Sequence, residues 1–131
     1  MNELQKKIML VDDDPDFLEA VKIVLESHDY IVETAYNEAS AIKLMDTFKP
    51  DVAIIDLMMD NYDSGFILSH KLKNKYPDSL VIIATGVTRE TGYRFKADSK
   101  YGDNWTKADL VMDKGIRPDQ ILKEIKKLLK I

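Results

Sequence analysis

Short apolar runs alternate along the chain with amphipathic stretches, and each run ends in polar or turn-forming residues. Residues 6–11, 31–35, 52–55, 80–84 and 109–112 have strand length. Apolar runs bounded by turn formers suit strands buried on both faces. Between them the spacing changes to that of helices. Asp14 is a good N-cap, Pro15 fits the first helical position and Asp16 favours the positive helix end. Phe17, Ala20, Val21, Val24 and Leu25 then repeat at helical spacing to about His28. With no partner histidine near it, His28 is read as a helix-end residue and not a metal ligand.

Asn37 caps a second helix with Ala41, Ile42, Met45 and Phe48 as its apolar face, closing before Pro50. A third covers residues 65–76, with Leu68, Leu72 and Tyr76 four apart, and stops at Pro77-Asp78. Pro118 opens the last, with Ile121, Leu122, Ile125, Leu128 and Leu129 on one face. Residues 87–108 lack clean periodicity. They hold Gly92, Gly102, Tyr93, Phe95, Tyr101 and Trp105, and a helix is expected only within roughly residues 88–100. Long irregular segments in compact domains tend to be functional or mobile. Strand–helix alternation argues an α/β fold, a doubly wound parallel sheet covered by helices on both faces.

Composition narrows this picture. A chain of 131 residues, 45% hydrophobic and 32% charged, has the length and balance of one globular domain, here taken as 1–131. Without cysteine there is no disulfide framework or zinc-thiolate site, and a cytoplasmic location fits. Apolar runs this short exclude membrane insertion by a helix and a signal-peptide core. The net charge of −4 hides an asymmetry: residues 1–65 carry 5 Lys and Arg against 15 Asp and Glu, residues 66–131 carry 14 against 8. The acidic half favours a cation site over direct nucleic-acid binding. Lys123, Lys126, Lys127 and Lys130 read as a solvated helix face.

Four strands end in residues of complementary chemistry: Asp12-Asp13, Asp56, Thr85 and Lys114. A parallel sheet puts all of them on its carboxyl rim, where open α/β sheets place their ligands. Caps and a local ion pair would explain each residue separately but not the common address. Three carboxylates in one pocket repel unless a cation joins them. Oxygen ligands alone select a hard ion, and a few carboxylates plus water suit Mg²⁺. A hydroxyl and an ammonium facing that ion suit an anion, most simply a phosphoryl group.

The pieces IMLVDDDP, DVAIIDLMM, LVIIATG and DLVMDKG, in this order and at strand ends, resemble the receiver domain of bacterial two-component response regulators. The resemblance covers the whole chain. It implies a flavodoxin-like (CheY-like) five-stranded sheet of order 2-1-3-4-5, with a remodelled or partly disordered fourth helix. It implies that Asp56 accepts a phosphoryl group from a sensor histidine kinase or phosphotransfer protein. Asp12, Asp13, Asp56 and the carbonyl of Met58 would hold Mg²⁺; Thr85 and Lys114 would bind the phosphoryl oxygens. The protein would be a switch that catalyses its own phosphorylation and dephosphorylation, not a turnover enzyme. It would act on a downstream protein, as a monomer or weak dimer, with no effector domain following.

Departures from the family's pattern bear on output. Met59-Asp60 stands where Met-Pro is usual, and the loop to Gly65 is one residue longer. Asp60 is therefore expected to tune the lifetime of the phosphoryl group. Lys114-Gly115 replaces Lys-Pro, so that peptide bond is expected to be trans. Val111 replaces the switch aromatic, and its β-branched side chain lacks the reach of a ring. The expected reporter of phosphorylation is instead the segment 86–108, by a change of order. The rival from another class is a receiver-like interaction module that works without phosphate. An aspartate-nucleophile phosphatase would need a cap and a further acidic motif. An FMN-binding flavodoxin would not place three aspartates in its phosphate loop.

Overall fold

Five parallel strands form the sheet: β1 (Lys7–Val11), β2 (Ile31–Ala35), β3 (Val52–Asp56), β4 (Leu80–Thr85) and β5 (Leu110–Asp113). Their order is β2-β1-β3-β4-β5, as expected. The helices described are α1 (Pro15–Ser27), α2 (Glu38–Met45), α3 (Ser64–Lys75) and α4 (Pro118–Leu129). The structure, a computed structural model, describes residues 5–61, 63–86 and 108–130. The expected helix within residues 88–100 and the aromatic residues of that segment lie outside these. Among the described residues no helix is long and apolar enough to cross a membrane.

Alternation along the strands splits the core in two. Ile8, Leu10, Val52, Ile54 and Ile82 face Val21 and Leu25 of α1 and Ile121 and Ile125 of α4. Met9, Val11, Ala53, Ile55 and Ile83 face Ala41 and Met45 of α2 and Leu68 and Leu72 of α3. The two-residue period of a strand sends neighbours to opposite faces, so an all-apolar run fits a sheet covered on both. β3 is buried along its whole length.

The caps form as the sequence indicates. Asp16 N–H donates to Asp14 Oδ1 at 3.0 Å, with Pro15 beginning α1. Asn37 and Ser40 make a reciprocal capping box on α2. Two apolar positions differ from the spacing argument. Ala20 is exposed, because the buried stripe of α1 runs through Val21 and Leu25 with Phe17 and Leu18 at its margin. Ile42 is also exposed: α2 is only two turns long and buries Ala41 and Met45. Phe48 is buried beyond the helix end. β5 starts one residue later than the apolar pattern predicts, because Asp109 exchanges bonds with the start of β4.

Candidate functional site

β1, β3, β4 and β5 bring Asp12, Asp56, Thr85 and Lys114 to one rim. Asp12 follows the last residue of β1, Asp56 and Thr85 end β3 and β4, and Lys114 follows β5. Register confirms the shared level: Val11 pairs with Ile55, Asp56 with Ala84, and Thr85 with Asp113. Lys114 is rooted by its own N–H, which donates to the Thr85 carbonyl at 3.0 Å.

Asp12 is fully buried, and Asp56 and Thr85 nearly so, whereas Asp13 is exposed. Carboxylate oxygens of Asp12, Asp13 and Asp56 lie within 4.8 Å of one another. Asp12 Oδ1 accepts from Asp14 N–H at 2.9 Å and from Lys114 Nζ at 3.0 Å. The same ammonium stands 3.7 Å from Asp56 Oδ2. Among the described residues one cation thus serves two buried carboxylates, with a third at the edge. Asp12 Oδ2 is buried with no hydrogen-bond partner among the described residues, a costly state in a folded protein.

The electrostatics follow from this crowding. Burial, and next the charge of Asp12, push the Asp56 carboxyl up to about 7, against the pull of Lys114 and of the Met58 N–H. Burial also raises Asp12, although Asp14 N–H and Lys114 oppose it. For Lys114 burial acts to lower the pKa, but the hydrogen bond and charge of Asp12 outweigh it, and the net shift is upward. A hard cation would relieve all of these at once. Three carboxylates with one orphaned buried oxygen, and neither sulfur nor imidazole, fit Mg²⁺ held by few protein ligands and completed by water.

The loop after Asp56 is pinned close to the site. Gly65 N–H donates to the Leu57 carbonyl at 2.7 Å, and a Cβ on Gly65 would stand 2.7 Å from Leu57 Cα and 2.8 Å from the Asp56 carbonyl oxygen. Only glycine permits that approach. Met59 N–H donates to the Asn61 carbonyl, and Asn61 N–H to Ser64 Oγ. Met58 is exposed. Asp60 turns toward α2, where its Oδ1 accepts from Glu38 N–H at 3.4 Å. No peptide bond among the described residues is cis, that after Lys114 included. Val111 is half-buried against the α2–α3 side of the core.

Sequence reasoning missed two participants. Phe17, read as core, has its ring 5.3 Å from Lys114 Nζ. Its place in the first turn of α1, only a few residues after Asp12 and Asp13, is the signal that would have found it. Gly65 was read as a helix start, and its tight approach to β3 was not foreseen.

Comparison with known proteins places the chain in a family. Over 81 residues the chain is 35% identical to the response regulator GtcR of Aneurinibacillus migulanus, covering 62% of this chain and 33% of that protein. To the regulatory protein VanR of Enterococcus faecium it is 28% identical over 98 residues, 72% of this chain and 42% of the other. The chain therefore spans a third to two fifths of the length of these curated relatives. Among solved structures, a CheY-like response regulator receiver domain protein from Methanospirillum hungatei JF-1 superposes with a TM-score of 0.79. Its identity is 26%, and the match covers 96% of this chain and 94% of that one. The family model described as the response regulator receiver domain matches residues 8–126, and with that extent of match the chain belongs to the receiver domain family of two-component response regulators.

Proposed function

We propose that Asp56 is the phosphoryl acceptor of a Mg²⁺-dependent signalling switch, with residues 1–131 as one receiver domain. The observation that carries this reading is the Asp12–Lys114–Asp56 array, where among the described residues one lysine stands against two buried carboxylates and one carboxylate oxygen is left without a partner. Asp12, Asp13, Asp56 and the Met58 carbonyl would hold the ion, and Thr85 and Lys114 would bind phosphoryl oxygens. When bound, the ion supplies positive charge against the oxygens of the group in transfer.

The donor would be a phosphohistidine of a sensor kinase or phosphotransfer protein. An Asp56 carboxylate oxygen forms a bond to phosphorus as the P–N bond breaks, and the departing imidazole takes up a proton. Lys114 faces Asp56 from β5 and meets the developing charge, while the pinned 57–65 loop keeps the acceptor in place. Water later cleaves the acyl phosphate to phosphate and the free carboxylate. With Val111 in place of a switch aromatic, we assign the report of phosphorylation to residues 86–108, acting on a downstream protein partner in the cytoplasm.

Incubation with acetyl phosphate and Mg²⁺ followed by intact-mass measurement tests the reading. The wild-type chain gains one phosphoryl group, and Asp56→Asn gains none. An undiminished adduct in the variant rejects Asp56 as acceptor. No adduct on the wild type, together with unaltered partner binding, favours an interaction module that works without phosphate.

A further inference from the structure

Lys114 carries its charge on a flexible four-carbon stem, and only its backbone is fixed by the bond to Thr85. What holds the ammonium at the rim is a three-sided box. Asp12 Oδ1 lies at 3.0 Å, Asp56 Oδ2 at 3.7 Å and the centroid of the Phe17 ring at 5.3 Å. Other lysines approach rings at 5.7–6.0 Å, namely Lys7, Lys49 and Lys75, but all three are exposed. Lys114 is the one of these four with most of its side chain covered, at 25% exposure.

The ring is itself well placed. Phe17 lies in the first turn of α1, whose start is set by the Asp14 cap and Pro15, and it is half-buried against the α1–α4 side of the core. An aromatic face attracts an ammonium most effectively where water is excluded. A carboxylate there would hold Lys114 equally well, but it would repel an incoming phosphoryl group. A ring attracts the cation with no net negative charge.

We propose that Phe17 is a positioning residue for Lys114, its ring face holding the ammonium beside Asp12 and the acceptor Asp56 so that it meets the phosphoryl oxygens during transfer. This rests on Asp56 being the acceptor, and the test separates the two. Two measurements on the full chain are made together: the Lys114 ε-CH₂ proton shifts by NMR, and the rate of phosphorylation by acetyl phosphate in saturating Mg²⁺. Phe17→Leu keeps an apolar side chain in the core but removes the ring; Phe17→Tyr keeps the ring. In the wild type and Phe17→Tyr the ε-CH₂ protons are shifted upfield by the ring, and in Phe17→Leu that shift is lost. Phe17→Leu is phosphorylated about fivefold more slowly, with Mg²⁺ affinity unchanged, and Phe17→Tyr regains most of the rate. Equal rates in Phe17→Leu and Phe17→Tyr overturn the proposal, as does an unshifted Lys114 signal in the wild type. If the wild type takes no phosphate while its Lys114 signal is shifted, the acceptor assignment has failed, and the role of Phe17 in transfer falls with it.

Discussion

The two ends of the sheet use the same acidic residue to opposite effect. At the amino ends of the strands, Asp51 Oδ2 accepts from Lys7 N–H at 2.8 Å. Asp109 Oδ2 accepts from Val81 N–H at 2.8 Å and pairs with Lys73 at 2.9 Å. Ser79 Oγ joins this rim by donating to the Pro50 carbonyl. These side chains finish the hydrogen bonding of the strands beside them. At the carboxyl ends, Asp12 and Asp56 share one lysine, with Asp13 beside them, and among the described residues one buried oxygen of Asp12 has no hydrogen-bond partner. A carboxylate that completes a backbone is structural; a cluster of carboxylates with one orphaned buried oxygen could bind a metal ion.

That contrast can be broken first at its lysines. Lys114→Ala should slow phosphoryl uptake by about 10²–10³-fold, the usual cost of removing a preorganised transition-state donor. Lys73→Ala should leave the rate unchanged, since its partner is at the other rim. Phosphorylation kinetics with acetyl phosphate decide this, and equal losses would erase the distinction.

The two rims also differ in what they do to stability. The Asp56 carboxyl is raised by folding to about 7, so the fold favours its protonated form. This effect on stability is absent below the pKa of the unfolded chain. It becomes a growing penalty as pH rises toward 7 and is complete above. In chelator, Asp56→Asn should therefore be more stable than wild type by an order of about 2–4 kcal/mol at mildly alkaline pH, with the gain vanishing in acid. At the opposite rim the sign reverses: Asp109→Ala should lose about 1–3 kcal/mol, because it orphans the Val81 N–H and strips Lys73 of its partner. Denaturant unfolding across pH measures both.

The smallest effect belongs to Asp60. Its carboxylate faces the first turn of α2 at a long 3.4 Å from Glu38 N–H, so Asp60→Ala should cost no more than about 1 kcal/mol. The same variant should alter the rate at which phosphorylated protein loses its phosphate. A rate equal to wild type would leave Asp60 as a helix-end residue alone.

Most of the fold was legible because the strands are buried on both faces, which turns each into an apolar run with a sharp end. The rim residues were legible for the same reason: Asp12, Asp56, Thr85 and Lys114 stand where those runs stop. What was not legible depends on contacts between distant residues. Asp51 and Asp109 also stand at strand ends, and only the partners brought by β1, β4 and α3 show that they are structural. Gly65 is required by its approach to Leu57, which no local pattern reveals. Phe17 looked like core because a helical stripe does not say which of its members reaches the rim. Ala20 and Ile42 fit the apolar spacing yet face outward, since one residue of helix is a turn of 100°. Of the segment 86–108 expected to carry the response, residues 87–107 lie outside the described part of the chain.

Among the described residues the carboxyl rim has one lysine beside its buried carboxylates, and we propose that a bound cation makes up this shortage of positive charge. Its most direct test is a titration of the Asp56 side-chain carboxyl carbon by NMR, with and without Mg²⁺. Without metal the midpoint should stand near 7, and with Mg²⁺ it should fall by at least about one unit as the ion favours the charged form. A midpoint in the ordinary carboxylate range that does not move with Mg²⁺ would mean that the rim neither strains Asp56 nor binds the ion beside it.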